Sequence, residues 1–439
     1  MNVADSEVVA SVMEKEDYEL TGDLSSADII LVNTCSIREN AEQLVLGRLE
    51  VFRQEKKRRP ALLVGVIGCM AERLKEKLLI ENKVDLVIGP DAYRDLPLLV
   101  KTAGSGQPVI STLLSQEETY ADISPVRYDS NGVSAFVSIM RGCNYACAYC
   151  VVPFTRGRER SRDPESIIGE IRKLAKGGYK EVTLLGQNVD KYTWYKNNEI
   201  LNFAGLLENS ALVDKGVRIR FSTSYPSDMT DEVLRVIAKH QNICKSIHLP
   251  LQSGSTRILK KMKRRYTRDN YIERIVSIRS IVPEVSVSTD IIAGFCSETV
   301  EDHKATLSLM EWAKFDFAYM FKYSERPGTF ARKRLKDDVP DEIKSKRLTE
   351  IIDLQNRLSE QSKKADTGKI FEVLAEGVSK KSAGELFGRT SQNKVVVFPM
   401  MHYKPGDYIN VRITGCTSAT LIGKPVKEQG AGCRLQAVG

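Results

Sequence analysis

The sequence predicts an α/β protein in three parts, and three patterns predict it. Apolar runs bounded by polar loops alternate with helical segments over residues 1–112. Six further strand-like runs, interleaved with helical segments, fill residues 130–366, and short β-like runs separated by Gly, Pro and Asn occupy 367–435. The first pattern marks an open parallel α/β sheet, the second a partial (βα)6 barrel rather than a closed eight-fold one, and the third a small all-β barrel.

The elements justify themselves in order. The helix-like "ADSEVVASVMEKE" precedes the apolar run "ADIILVNT"; then come the long helical "SIRENAEQLVLGRLEVFRQEKK", the run "ALLVGVIG", the helical "MAERLKEKLL" and the run "VDLVIGP". Continuous apolar runs of this length suit strands covered on both faces. The segment from 111 to 132 is a polar connector. Barrel strands are expected at "VSAFVSIM", "EVTLLGQN", "VRIRFSTS", "SIHLPLQS", "VSVSTDIIAGF" and "FAYMFKYS", with helices such as "PESIIGEIRKLAKGG", "DEVLRVIAKH" and "EDHKATLSLMEWAK" between them. A lysine-rich helix with apolar spacing at Ile343, Leu348, Ile351, Ile352, Leu354 and Leu358 closes this part. The last part reads "IFEVLAEGV", "ELFGRT", "KVVVFP" and "YINVRITGCTSATLIGKPV".

Composition bounds the function. The chain has 439 residues, 42% hydrophobic and 28% charged, which is enough for several cored domains and is not a disordered composition. It has no run of about 18 apolar residues, and its polar start lacks the basic and apolar regions of a signal peptide. A cytoplasmic protein without a membrane span is the expectation, and a monomer. Nine cysteines, an odd count, suit metal ligands and buried thiols better than a disulfide framework. The formal charge is +8, and residues 368–439 hold ten Lys/Arg against five Asp/Glu, a net of +5. Arg389, Lys394, Lys404 and Arg412 are there candidates for RNA phosphates, with an ordinary solvated basic surface as the alternative.

The stretch "RGCNYACAYC" places Cys143, Cys147 and Cys150 within eight residues, directly after the first barrel strand. That is the strand end where barrel enzymes carry their chemistry. Zinc prefers four closed ligands and a [4Fe-4S] cube takes four, one per iron, so three thiolates leave one corner open. Cys35 and Cys69 each directly follow an apolar run of the N-terminal part, where ligands of open sheets collect, and could converge across 34 positions. A small buried side chain is the other reading of each. His248 is either a satisfied core histidine or a functional one. Cys244, Cys296, Cys416 and Cys433 lack ligand spacing and read as core or surface thiols.

"CNYACAYC", with Tyr149 before the last cysteine, resembles the motif of the radical S-adenosylmethionine (SAM) enzymes. "MNVADSE", "NTCSIRENAE", "GCMAER", "SIMRGCNYACAYCVVPFTRGRERSR", "LLGQNV", "HLPLQSGS", "YTRDNY" and "YSERPGT" stand in the order found in the methylthiotransferases of that superfamily. They most closely resemble the type that makes 2-methylthio-N6-isopentenyladenosine next to the anticodon of tRNA. The resemblance spans nearly the whole chain, including a C-terminal barrel similar to the RNA-binding TRAM domain. It implies two [4Fe-4S] clusters. One lies on Cys143, Cys147 and Cys150, with SAM as fourth ligand and source of a 5′-deoxyadenosyl radical; an auxiliary one involves Cys35 and Cys69.

The family carries a third auxiliary cysteine in a "GCQMN" stretch after a first strand, and this sequence begins at the Met of that stretch. A shortened sheet with an unpaired edge and a labile auxiliary cluster is therefore expected. The mechanism so implied uses one SAM to methylate a cluster-held sulfur and a second to remove hydrogen from carbon 2 of the adenine. Partners implied are tRNA, an electron donor such as flavodoxin or ferredoxin, and sulfur-donor or cluster-assembly proteins.

Polar residues at barrel strands are then candidates for holding SAM: Gln187, Asn188, Arg220, Ser222, Gln252 and Asp290, with Tyr149 beside the cluster. Arg156, Arg158, Arg160 and Arg162 alternate, so an extended segment would put them on one face toward the tRNA backbone; "KKMKRRYTR" at 260–268 is a second such run. Threonylcarbamoyl-adenosine in tRNA and an aspartate of a ribosomal protein stay open as other methylthiotransferase substrates. A non-catalytic iron–sulfur RNA-binding protein is the alternative of another class.

Overall fold

A computed structural model of the chain describes residues 1–36, 39–127, 131–196 and 199–426. Four parallel strands, β1 (Ile29–Thr34), β2 (Leu63–Gly68), β3 (Leu86–Ile88) and β4 (Val109–Ser111), form the N-terminal sheet in that order, with β1 at one edge. Both faces are covered, which is why the strands are apolar throughout. Val8, Val9, Val12 and Met13 of the helix Asn2–Glu14 pack with Leu96 and Val100 on one side; Leu49, Phe52, Met70 and Leu78 pack on the other. The structure departs from expectation twice here. "MAERLKEKLL" breaks into helices Cys69–Leu74 and Glu76–Asn82 at Lys75, whose φ is +46°. β4 lies just ahead of the polar connector and is too short to leave a periodic signal.

The barrel strands are β5 (Ser134–Ser138), β6 (Glu181–Leu185), β7 (Arg218–Ser222), β8 (Ser246–His248), β9 (Ser286–Ala293) and β10 (Phe317–Lys322). All pair in parallel in sequence order, with β7 and β8 joined through the bridge Ile219–Ile243. Helices begin where their caps dictate: Asp163 accepts from Ser166 N–H ahead of Pro164–Lys176, and Thr267 and Thr299 form capping boxes with Asn270 and Asp302. A β-ribbon, Thr193–Lys196 with Glu199–Asn202, is an insertion the apolar pattern does not announce. In the lysine-rich helix Asp341–Lys364, Ile351, Leu354 and Leu358 are buried, whereas Ile343 is exposed.

The C-terminal strands β11 (Ile370–Val378), β12 (Glu385–Thr390), β13 (Val395–Pro399), β14 (Tyr408–Cys416) and β15 (Leu421–Pro425) close into a five-stranded barrel around Val373, Leu386, Phe398 and Val411. It seats against the amino ends of the larger barrel's strands. Arg218 donates to the carbonyls of Arg389 and Glu372 at 2.8 and 2.9 Å, Arg220 to those of Thr390 and Ser391 at 2.7 and 3.2 Å, and the Tyr408 hydroxyl to that of Lys180 at 2.8 Å.

Candidate active site

All three cysteines of the 143–150 stretch lie in one loop at the opposite, carboxyl end of that barrel. The loop is tied off by a two-residue antiparallel ribbon, Met140–Arg141 with Arg160–Ser161. Gly142 makes the turn possible: its φ is +77°, and a Cβ there would meet the Arg158 carbonyl at 2.0 Å. Cys143 N–H then bonds the Gly157 carbonyl at 3.2 Å, and Ala148 N–H the Met262 carbonyl at 2.9 Å. Tyr149 packs edge-on against Phe295. Burial pushes the Cys143 thiol up to about 11 and the Cys150 thiol up to about 12. Thiols in such a place become thiolates when a metal takes the charge. Among the described residues no three His, Cys, Asp or Glu side chains converge on a single ion. A cube asks for something different, one thiolate on each of three irons, and three cysteines on one loop fit that demand.

The second pair of cysteines is brought together by strand register. Thr34 pairs with Gly68, so Cys35 and Cys69, the next residues, leave adjacent strand ends side by side. Gly68 takes φ +90°, where a Cβ would meet the Thr34 carbonyl oxygen and Asn33 Oδ1, both at 2.8 Å. The helix that Cys69 opens packs against the short helix Val152–Thr155, which directly follows the 143–150 loop. The helix that Cys69 opens and the helix that follows Cys150 thus pack on each other where the N-terminal sheet meets the barrel. Glu42, 2.6 Å from Arg73 and 3.7 Å from Arg326 in the loop after β10, ties the same two parts together.

Polar side chains ring the barrel mouth. The Tyr145 hydroxyl sits 2.8 and 2.7 Å from the two Asp228 oxygens, Asn188 Nδ2 donates to Asp228 at 2.7 Å, and the Tyr145 ring stacks on Tyr225 at 4.1 Å. Gln187 Oε1 and Asn188 Oδ1 are buried without a hydrogen-bond partner, which suits a polar ligand at the ends of β6. His248 accepts or donates at Ser288 Oγ, 3.0 Å away, and its other ring nitrogen lies 3.4 Å from Asp290. Gln252 is buried with φ +68° and is bridged to Ile291, beside Asp290. Ser222 is half-buried at the end of β7. Tyr145, Tyr225 and Asp228 escaped the sequence reading. Only the position of Tyr145 between two cysteines could have drawn attention to it.

Burial also pushes the Asp190 carboxyl, bonded by Tyr225 N–H and the Ser224 hydroxyl, up to about 7. The unfolded group ionises near about 4, so the stability it contributes is full below that pH and is lost as pH rises through about 7. Asp190→Asn is expected to flatten this part of the fall in melting temperature between about pH 4 and pH 7. An unaltered profile would show that the carboxyl is ionised in the fold.

The description "Radical SAM superfamily" matches residues 137–310, "Uncharacterized protein family UPF0004" residues 1–89 and "TRAM domain" residues 364–426. A tRNA-2-methylthio-N(6)-dimethylallyladenosine synthase from Phocaeicola vulgatus is 57% identical over 427 residues, covering 97% of this chain and 94% of that protein. The chain belongs to this family of radical SAM enzymes. A protein of the same name from Bacteroides thetaiotaomicron is 56% identical over 97% of this chain and 94% of its own length. Among solved structures, the radical SAM methyltransferase TsrM from Kitasatospora setae has a TM-score of 0.55 at 15% identity, covering 73% of this chain and 69% of that one. The cobalamin-dependent SAM radical enzyme OxsB has a TM-score of 0.53 at 14% identity, over 81% and 54%. These two likenesses concern the fold. Membership of the radical SAM family brings SAM and a [4Fe-4S] cluster with it. Among the described residues no helix is long and apolar enough to cross a membrane.

Several expected roles do not survive the geometry. Arg156, Arg160 and Arg162 are each turned inward: Arg156 lies 2.6 Å from Asp5, Arg160 is bidentate on Asp91 at 2.8 and 3.1 Å, and Arg162 lies 2.5 Å from Glu170. All three are buried and cannot reach a phosphate; Arg158 alone is exposed. Arg220 points down to the small barrel, its Nε 2.8 Å from Glu181, and is no SAM ligand. Lys394 is held by Asp366 at 2.6 Å, Ser362 at 3.0 Å and Asp316 at 3.3 Å, which makes it a domain staple rather than an RNA contact. Most of "KKMKRRYTR" is likewise engaged: Lys263 lies over Phe330, Arg265 over Tyr145, and Arg268 on the Gly254 carbonyl.

Arg389 keeps a partly exposed guanidinium 3.3 Å from Glu376, and Lys404 and Arg412 are exposed. Arg158→Ala is therefore expected to reduce the salt slope of tRNA binding by roughly one, whereas Lys394→Met should leave the slope alone and lower the melting temperature. Equal slopes for wild type and Arg158→Ala would remove Arg158 from the interface. Cys244 and Cys296 are buried, Cys416 is half-buried, and Cys433 lies outside the described residues.

Proposed function

We propose that this chain adds a methylthio group to carbon 2 of N6-dimethylallyladenosine next to the anticodon of tRNA. The observation that carries the proposal is the contact between the segments that follow the two cysteine groups. Chemistry that joins a sulfur carrier to a carbon radical needs both centres facing one substrate. The helix after Cys69 packed on the helix after Cys150 supports that arrangement. When bound, iron–sulfur groups would supply one-electron cleavage of SAM at Cys143, Cys147 and Cys150, and a sulfur to be methylated at Cys35 and Cys69.

The chain's own residues do the rest. Gln187 and Asn188 offer unmet acceptors to a SAM amino group or ribose, and Ser222, Gln252 and Asp290 extend that polar rim. Tyr149 and Phe295 back the cysteine loop with apolar surface, and Tyr145 on Tyr225 walls the mouth. Arg158, Arg389, Lys404 and Arg412 are candidate contacts for the tRNA backbone. A flavodoxin or ferredoxin as reductant, sulfur-donor or cluster-assembly proteins, a monomeric state and a cytoplasmic location complete the proposal.

Nucleoside analysis of tRNA tests it. In a strain lacking the endogenous activity, this chain should convert N6-dimethylallyladenosine into its 2-methylthio derivative, and Cys147→Ala should not. Methylthiolation of threonylcarbamoyl-adenosine instead, or of a ribosomal protein, would overturn the substrate. SAM left uncleaved on reduction would favour an iron–sulfur RNA binder. The auxiliary group has its own measurement: Cys35→Ala/Cys69→Ala should lower bound iron by about four per chain, and unchanged iron would remove it.

A further inference from the structure

We infer that Arg264 is the counter-charge of the iron–sulfur group at Cys143, Cys147 and Cys150, and that it eases that group's uptake of an electron. Arg264 belongs to the basic run the sequence offers to RNA, but its guanidinium turns inward. Nη1 lies 3.5 Å from Cys147 Sγ. Nη2 donates to the Pro250 carbonyl at 3.1 Å and Nε to the Tyr266 hydroxyl at 2.9 Å. The cation sits over the Tyr225 ring at 4.1 Å and the Tyr266 ring at 5.0 Å. Tyr266 is itself fixed, donating to the Pro250 and Leu251 carbonyls at 3.0 and 2.9 Å.

The partners set this residue apart from the buried arginines. Arg141, Arg156, Arg160, Arg162 and Arg347 each meet a carboxylate in the interior. Those recorded for Arg264 among the described residues are a thiol, a phenol, a carbonyl and two ring faces, none negatively charged. A half-buried cation without a carboxylate beside it is favoured by a nearby anion. A cube on three thiolates is that anion, and it gains one more negative charge on reduction. A fixed positive charge and an N–H beside a ligand sulfur favour the reduced form more than the oxidised one. Held by three hydrogen-bonding atoms and two rings, the guanidinium needs no rearrangement when the electron arrives. Arg264 is thus a positioning residue acting through Cys147.

The inference rests on the reading of the three cysteines as ligands, and the test separates the two. The full chain, reconstituted without oxygen in a Cys35→Ala/Cys69→Ala background, is titrated with reductant while the electron paramagnetic resonance signal of the reduced cluster is followed. With Arg264 present, about four irons per chain and a reducible signal are expected, both lost in Cys143→Ala; their absence would overturn the ligand reading. Arg264→Met should keep the iron but reduce about tenfold the ratio of reduced to oxidised cluster at a fixed potential, a midpoint lower by 59 mV for one electron. Arg264→Lys should recover most of it. Equal midpoints with and without the arginine would overturn the inference. Should Arg264→Met fail to take up iron, Arg264→Gln, which keeps a donor but no charge, should still show the lower midpoint; an unshifted value there would overturn it equally.

Discussion

Replacing Asp5 by alanine should destabilise the protein by about 3–5 kcal/mol, the range for removing one partner from a buried charge cluster. The carboxylate is 1% exposed and bridges two guanidiniums, Arg141 at 2.8 Å and Arg156 at 2.6 Å, so its loss leaves Arg156 buried without that partner and Arg141 with only Asp91, 3.7 Å away. Burial alone would raise its pKa, but Arg141 and Arg156 outweigh that and hold it below the usual carboxylate range. A depressed carboxylate contributes stability that is present above about pH 4 and is lost as pH falls below it. Thermal unfolding at neutral pH should show the full deficit of Asp5→Ala, and at acid pH wild type and variant should draw together. A neutral-pH loss under about 1 kcal/mol, the size of a surface pair, would mean water reaches the cluster. Because Arg141 lies two residues before Cys143 and Arg156 six after Cys150, the variant should also release the cysteine loop from the N-terminal sheet.

Cys147→Ala is expected to abolish 5′-deoxyadenosine formation and to lower iron by about four per chain, while leaving the melting temperature of the iron-free protein nearly unchanged. Cys244→Ala is the control. That thiol is 2% exposed among core residues, so its removal should cost about 1 kcal/mol and leave iron and SAM cleavage alone. Iron and SAM cleavage in Cys147→Ala equal to those of wild type would end its role as a ligand.

The strands were legible because a sheet covered on both faces must be apolar at every position, and Leu63–Gly68 and Leu86–Ile88 are. The cysteines were legible because each follows such a run, where parallel topology exposes backbone and side chains to a ligand. The arginines were not. A sequence displays the charge of Arg160 but not Asp91, 69 positions away, which neutralises it. The same blindness misassigned Arg220, which Glu181 on the neighbouring strand neutralises, and Lys394, held by Asp366 and Asp316. Alternation put four arginines on one face of an extended segment, but Arg156 ends the helix Val152–Thr155 and Gly157 takes φ +69°, so Arg158 is exposed while the other three are buried. Asp228, which gathers Tyr145, Asn188 and Lys191, sits in a loop with no periodicity to betray it.

The seating of the small C-terminal barrel bears on how a shortened protein would behave. Four guanidinium bonds to carbonyls from Arg218 and Arg220, with Tyr408 and Lys394, plug the foot of the larger barrel with the small one. Cutting the chain after residue 366 would strip two arginines of the carbonyls that satisfy them and open the barrel from below. The shortened enzyme's failure would then report a drained core as much as a lost grip on tRNA. Surface changes at Arg389, Lys404 and Arg412 are the cleaner way to ask what that grip contributes.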